Sequence, residues 1–213
     1  VIDTDVLIKE YRNYLKNNNK IQFERFDYSA LQINEDSVNY NGVLAKQIVF
    51  CEGFGMQHNP FFNYLPLRGN KGEYITIYSE ELKLEEAVKS SVFIIPLGNN
   101  LYKVGATYNN KDTDPQPSKT AREDLENKIK KLITCKFEVV DQSAGIRPAS
   151  KDRKPMLGRH PEYKNLYCCN GFGSRGVLIS PMVSEQLIRF IEENVQLPQE
   201  IDLQRFNKKH YEA

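Results

Sequence analysis

Two groups of residues in this 213-residue chain have types and spacing suited to chemistry. The first is Arg147, in the run Ala144-Gly145-Ile146-Arg147-Pro148. A candidate strand, Phe137 to Val140, runs towards it, and the flanking glycine and proline place the arginine on a turn closing that strand. A guanidinium is a planar fork that grips a carboxylate with two parallel hydrogen bonds. The competing reading is an ordinary surface arginine in an ion pair. The second group is Gly171-Phe172-Gly173-Ser174-Arg175-Gly176, a formal G-x-G-x-x-G between a candidate strand, Asn165 to Cys169, and an amphipathic helix. Such glycines let a backbone approach a pyrophosphate at a helix N-terminus. A dinucleotide fingerprint also needs a further strand and an acidic ribose ligand about twenty residues on. Here Glu192 and Glu193 fall in the last turn of the helix, and LPQEIDLQRFNKKHYEA follows with no convincing strand. The literal fingerprint is rejected, and a helix-capping glycine turn accounts for the run locally.

Other reactive residues form no constellation. His58, His160 and His210 are isolated from one another, so no metal site is expected. Cys51, Cys135, Cys168 and Cys169 have no Cys-x-x-Cys spacing and read as free thiols in a reducing compartment. Lys151, Asp152, Arg153 and Lys154 read as a solvated charged turn. A net charge of +1 gives no reason to expect a nucleic-acid or membrane partner. No apolar run approaches the ~20 residues of a bilayer span, and no signal peptide opens the chain, so a cytoplasmic location is expected.

The elements that must position these groups are readable in outline. Asp3 caps a first helix with Leu7, Tyr11, Tyr14 and Leu15 on one face, ended by Asn17-Asn18-Asn19. Ile21 to Phe26 is a candidate strand. Tyr28 to Val43 reads as a hairpin or meander turning at Asn34-Glu35-Asp36, with a strong turn at Asn41-Gly42. Ala45 to Cys51 is a compact apolar strand. Gly72 to Tyr78 is extended, and Ser91 to Leu97 and Leu101 to Thr107 flank the hairpin turn Gly98-Asn99-Asn100. Lys111 to Ser118 is a loop, and Thr120-Ala121-Arg122-Glu123 is a capping box for a helix with Ala121, Leu125, Ile129, Leu132 and Ile133 on one stripe. Ser180 caps a last helix with Pro181 at its first position. Its buried face is Met182, Val183, Leu187, Ile188, Ile191 and Val195. The tail beyond Pro198 is charged and expected to fray.

The segment from Ala144 to Ser184 resembles the C-terminal signature of the glycine oxidase/D-amino acid oxidase family of FAD-dependent oxidoreductases. The matches are Ala144-Gly145-Ile146-Arg147-Pro148, Asp152, Pro155, Gly158, His160-Pro161, the Gly171 to Gly176 loop and Pro181. Leu65-Pro66-Leu67-Arg68-Gly69 resembles the crossover into that family's substrate domain. The resemblance implies an α+β / α/β fold: a mixed, mostly antiparallel substrate-domain sheet with helices, plus the remnant of a Rossmann-like FAD-binding domain. Residues 1–58 and 151–213 would belong to the FAD-binding part, and 59–150 to the substrate-binding part.

It implies oxidation of the C–N bond of an amino acid or related amine, with chemistry supplied by the flavin and no catalytic side chain assigned. Arg147 matches the position that clamps the substrate carboxylate. Gly171, Phe172, Gly173, Ser174, Arg175 and Gly176 match the second glycine-rich loop, which approaches the flavin ring. Arg68 faces flavin or pocket, or bonds carbonyls at the crossover. Relatives carry a tyrosine and an arginine where this chain has Phe93 and Leu97, which favours a substrate with an apolar part. Gly145 stands where covalent relatives carry cysteine, so non-covalent FAD is expected. The family's N-terminal FAD fingerprint is absent, so the chain reads as a C-terminal fragment, alone expected to be inactive and colourless. The partner is a small-molecule amine or amino acid. Alternatives are a non-catalytic binding domain of the same fold, or an oxidase module acting on a secondary amine in tRNA modification or thiamin synthesis.

Overall fold

The computed structural model describes residues 2–206 and divides into two compact units, Val1–Ala30 and Leu31–Ala213. In the first unit, α1 (Thr4–Asn17) is capped by Asp3, whose Oδ1 accepts from the Asp5 and Val6 amides at 3.1 and 3.0 Å. These are donors that a first helical turn leaves unpaired. The helix stops at Asn18 and at Asn19, which takes a left-handed φ of 54°. The strand expected over Ile21 to Phe26 does not form. A strand persists only beside a hydrogen-bonded neighbour, and this unit contains no strand to pair with it.

The second unit opens with an antiparallel meander of β1 (Leu31–Ile33), β2 (Val38–Tyr40) and β3 (Val43–Ala45). Asn41 and Gly42 join β2 to β3 with φ values of 48° and 86°, the paired left-handed conformation of a tight hairpin. The single strand expected from Ala45 to Cys51 is split. The chain leaves the meander after Ala45 and enters a different sheet as β4 (Ile48–Phe50).

The central sheet has five strands: β5 (Leu67–Tyr78), β6 (Val88–Lys89), β7 (Phe93–Gly98), β8 (Leu101–Gly105) and β9 (Glu138–Ser150), in the order β6-β7-β8-β5-β9. β5 and β9 pair from Leu67↔Ser150 to Tyr78↔Glu138, with one bulge at Thr76/Ile77. Side chains alternate between faces. Ile75 and Ile77 point to the face covered by α2 (Lys119–Ile129). There they form a core with Val92, Ile94, Tyr102, Val104, Leu125 and Ile129. The cap of α2 is Ser118 rather than Thr120. Its Oγ accepts from the Ala121 amide at 3.2 Å and donates to Glu73 at 2.7 Å, so a tertiary contact fixes where the helix starts. The helix ends at Ile129, which leaves Leu132 exposed.

Arg147 is not on a turn. It lies inside the 13-residue β9, opposite Asn70. The following Pro148 lacks an N–H, but β9 is the edge of the sheet, where a missing donor costs no ladder bond.

The third sheet joins distant parts of the sequence. β10 (Met156–Arg159) pairs antiparallel with β11 (Leu166–Asn170), and β11 pairs in parallel with β4. All five residues of β11 are buried, as expected of a strand covered on both faces. The last helix, α3 (Gly176–Glu193), starts four residues before Ser180 and holds Pro181 inside. The glycine loop winds through a short 3-10 turn, Gly173–Arg175, straight into it. Val183 and Leu187 are buried, whereas Met182, Ile188 and Val195 are exposed. The tail is not frayed as far as it is described: Leu197, Ile201, Leu203 and Phe206 are buried. His210 lies outside the described residues. Among those residues, no helix is long and apolar enough to cross a membrane, and no cluster of side chains is arranged to hold a metal ion.

His160 is a structural histidine. Its Nδ1 accepts from the Glu162 and Tyr163 amides, both at 3.1 Å. Its ring packs against Phe62, Tyr64 and Tyr163 with centroids 5.3, 6.0 and 5.0 Å away. Burial holds its pKa below the ordinary value, so the folded chain resists a proton that the unfolded chain accepts below about pH 6.5. Its contribution is complete above that pH and is lost as pH falls towards the folded value, by at most about 1.4 kcal/mol per pH unit. Urea midpoints should therefore decline from about pH 6.5 to 5.5. His160→Asn, whose carbonyl oxygen accepts the same two bonds, should flatten that decline; an unchanged slope would show that other groups cause it.

Candidate functional site

The face of the central sheet opposite α2 carries the site. β5 sends Arg68, Asn70 and Gly72 to this face, and β9 sends Gly145, Arg147 and Ala149. Beyond β8, the chain continues beside β5: Thr107 and Asn109 bond the Glu73 and Lys71 backbones, with Lys71 and Asn109 exchanging both bonds at 2.8 and 2.9 Å. Tyr108 lies between them on the site face.

Arg147 crosses β5 to reach this segment. Its Nη1 donates to Asn70 Oδ1 at 2.8 Å and to the Thr107 carbonyl at 3.3 Å, and its guanidinium lies 4.5 Å from the centre of the Tyr108 ring. It passes directly over Gly72, where a Cβ would sit 2.0 Å from Nη2. Among the described residues no carboxylate forms an ion pair with Arg147, and no acceptor engages its Nε or Nη2. A half-buried cation held by neutral groups, with donors to spare, is suited to an external anion.

The glycine loop closes the other side. Gly171 and Gly173 take left-handed φ values of 79° and 57°. At Gly171 a Cβ would also meet Met156 at 3.2 Å. The buried Asn170 braces the turn, donating to the Gly53 carbonyl and accepting from the Gly171 amide, both at 2.8 Å. Phe172 bridges to Ala149 at the end of β9, which docks the loop on the sheet.

Sheet and loop enclose a cavity of about 820 Å³ that brings together Arg147, Arg68, Gly171, Phe172, Gly173, Ser174 and Arg175. Gly176 opens α3 and does not line it. Phe93 shares the sheet face with Arg147, since it is paired through Gly105 to Tyr74, but it lies two strands from β5 and outside the cavity. Lys151, Asp152, Arg153 and Lys154 also line the wall, so the turn read as merely solvated borders the site. Asp152 is bound to Arg205 at 2.9 Å. That leaves a lining dominated by cations. Asn70, Gly72, Thr107, Tyr108 and Asn110 are not singled out by sequence reasoning. The one local signal is Gly72, because a glycine inside an apolar strand marks a close approach.

The model for the FAD dependent oxidoreductase family, DAO, matches residues 2–189, and the chain belongs to that family. A bifunctional protein of tRNA 5-methylaminomethyl-2-thiouridine biosynthesis from Legionella pneumophila is 28% identical over 91% of this chain and 32% of its own length. Glycine oxidase of Bacillus subtilis is 26% identical over 84% of this chain and 53% of its own length. The crystal structure of glycine oxidase from Geobacillus kaustophilus superposes with a TM-score of 0.65 at 24% identity, over 86% of this chain and 50% of that one. The chain thus spans about a third to a half of the length of these relatives. The family's cofactor is FAD, and the polar, cationic cleft beside the glycine loop is compatible with part of such a group. Gly171 and Gly173 place no side chain at their own positions in the loop, no side chain among the described residues caps the first-turn amides of α3, and the cationic lining favours an anion.

Gly72→Ala gives a direct check on this geometry. The atoms that a Cβ would displace belong to the far end of a flexible side chain, so the fold should tolerate the change to within about 1 kcal/mol. Arg147, however, must leave its position. Carboxylate affinity should fall roughly tenfold, about 1.4 kcal/mol, with a melting temperature lowered by no more than about 4 °C. A large loss of stability with unchanged affinity would contradict the placement.

Proposed function

We propose that this chain is the substrate-binding and C-terminal portion of a FAD-dependent enzyme that oxidises the C–N bond of an amino acid or related amine. Residues 59–150 form the substrate-binding part, and 1–58 with 151–213 belong to the flavin-binding part. The observation that carries this reading is Arg147, a cation with no carboxylate partner among the described residues, held over Gly72 and open to a cavity walled by the glycine loop.

The substrate carboxylate pairs with the free Nε and Nη2 of Arg147, which fixes the orientation of the α-carbon and its amine. Asn70, Thr107 and Tyr108 keep the guanidinium from following the substrate. Gly171, Gly173 and Ser174, the first-turn amides of α3 and the cations Arg68 and Arg175 would hold the flavin end of FAD. Bound there, FAD would supply the two-electron acceptor for the hydride of the α-carbon, the C–N single bond becoming an imine as the nitrogen gives up a proton.

A second reading has its own support. Arg68, Lys151, Arg153 and Arg175 line the cavity, whereas Asp152 is paired with Arg205 and Lys154 with Glu200. That lining suits a secondary amine carried on a larger anionic molecule, the class that the Legionella relative's name describes. Such a substrate would show a KM rising steeply with salt, whereas a free amino acid would not.

Replacing Arg147 with lysine keeps the charge but loses the fork. In the flavoenzyme containing this chain, Arg147→Lys should raise KM for an amino acid by roughly ten- to a hundredfold, about 1.4–2.8 kcal/mol, with flavin content unchanged. Arg147→Ala should be worse, and the corresponding decarboxylated amine should feel neither change. Equal losses on both substrates in steady-state kinetics would show that Arg147 is structural or flavin-facing.

A further inference from the structure

Behind the site, on the α2 face of the same strand, lies a buried ionic network that the proposed chemistry does not use. Lys71 is 2% exposed. Its Nζ donates to Asp112 Oδ2 at 2.7 Å and lies 3.5 Å from Glu73 Oε1. Glu73 in turn accepts from the Ser118 amide at 2.8 Å, from Ser118 Oγ at 2.7 Å and from Gln142 Nε2 at 2.9 Å. Burial alone would push the Glu73 carboxyl up. The donors from Ser118 and Gln142 and the Lys71 charge outweigh that and hold it below its ordinary value. Asp112 is also held low by its bond from Lys71, and Lys71 is held high mainly by Asp112. All three are charged at neutral pH.

Lys71 and Glu73 are tied by backbone and side chain to one segment, residues 107–118. Their main chains bond Thr107 and Asn109, and their side chains bond Asp112 and Ser118. That segment supplies everything on the far side of Arg147: the Thr107 carbonyl, the Tyr108 ring and Asn110. Asn110 Oδ1 accepts from Asn70 Nδ2, which turns the Asn70 oxygen towards Arg147. Residues alternate along β5, so the odd positions grip the segment from behind while Asn70 and Gly72 meet Arg147 in front.

We propose that Lys71, Glu73 and Asp112 are positioning residues that set the Thr107–Asn110 segment and, through it, the guanidinium of Arg147 for a carboxylate. A solvated loop would gain little from a buried lysine, since removing a cation from water is costly unless it is paired. The paired lysine makes the loop a rigid back-stop. Arg147 is held at the cavity wall with Nε and Nη2 left over for a ligand. The inference rests on the carboxylate-clamp reading of Arg147, but its geometric part can be measured without any substrate.

The test is NMR of this chain with isotope-labelled arginine, the Arg147 side-chain signals being assigned by their loss in Arg147→Lys. A ring 4.5 Å from the guanidinium shifts those signals upfield, and Tyr108→Ala calibrates the loss of that shift. Asp112 is partly exposed on a loop, so Asp112→Ala removes the anchor while Lys71 keeps Glu73 as a partner. Asp112→Ala should move the Arg147 signals most of the way to their position in Tyr108→Ala. Asp112→Asn, which still accepts from Lys71, should leave them near wild type. In the flavoenzyme, Asp112→Ala should raise KM for the amino acid about three- to tenfold with little change in kcat, and leave the decarboxylated amine unaffected. Arg147 signals unmoved in Asp112→Ala, or unmoved even in Tyr108→Ala, would overturn the proposal. If the signals move as expected but Arg147→Lys does not distinguish the two substrates, the clamp reading fails while the positioning of the guanidinium stands.

Discussion

The site depends on one close approach: the guanidinium of Arg147 lying flat across Gly72. An arginine on an edge strand can reach a neighbour two strands away only if the strand between them presents no side chain in its path. With Gly72 there, Nη1 reaches the Thr107 carbonyl and the plane settles against Tyr108. The described groups that bond or stack on it, Asn70, Thr107 and Tyr108, are neutral. Among the described residues, the fold thus leaves this positive charge without a carboxylate, at the wall of a cavity and opposite a loop of left-handed glycines. Removing a charge from water without a counter-ion is unfavourable. Such an arrangement is stable when a ligand supplies the missing charge or when surrounding contacts overdetermine the geometry, and here the contacts are plentiful.

The two faces of the central sheet divide the work. On one face Ile75, Ile77, Val104, Leu125 and Ile129 make a dry core that fixes the relation of β5, β8 and α2. Lys71 and Glu73 continue that face, replacing apolar packing with a fully bonded ionic network. On the other face, at the β5–β9 end, the side chains are Arg68, Asn70, Arg147 and Ala149, with Gly72 and Gly145 between them. The same strand thus carries stability behind and the candidate site in front. The parallel pairing of β4 with β11 brings Gly53 under the glycine loop, where Asn170 ties the two together. Two segments more than a hundred residues apart in sequence thereby shape one wall.

Where a signal is local, it is legible in the sequence. Asp3 caps α1, Asn41-Gly42 makes the meander turn, and Gly98-Asn99-Asn100 makes the hairpin, because each depends on a few adjacent residues. The strand that holds Arg147 is not legible locally. Gly145 and Pro148 read as turn residues, but in β9 the proline occupies an edge position and the glycine leaves open space, so the strand runs straight through. The cap of α2 is Ser118 because Glu73, 45 residues away, holds its hydroxyl, and no local pattern encodes that. The start of α3 moves forward because the glycine loop itself winds into the helix. Arg147 and the Gly171 to Arg175 loop can be singled out from residue type and resemblance. Asn70, Thr107, Tyr108 and Asn110 cannot, since they are brought together by strand register. Exposed apolar residues on α1 and α3 likewise depart from simple periodicity, which marks a stripe but not what covers it.

The most direct test is a crystal structure of the flavin-loaded enzyme containing this chain, with a carboxylate that lacks the amine, such as propanoate. The two carboxylate oxygens should lie about 2.7–3.0 Å from Nε and Nη2 of Arg147, with the Asn70, Thr107 and Tyr108 contacts unchanged. A carboxylate bound instead at Arg68 or Arg175, with Nε and Nη2 of Arg147 turned to another protein acceptor, would contradict the account.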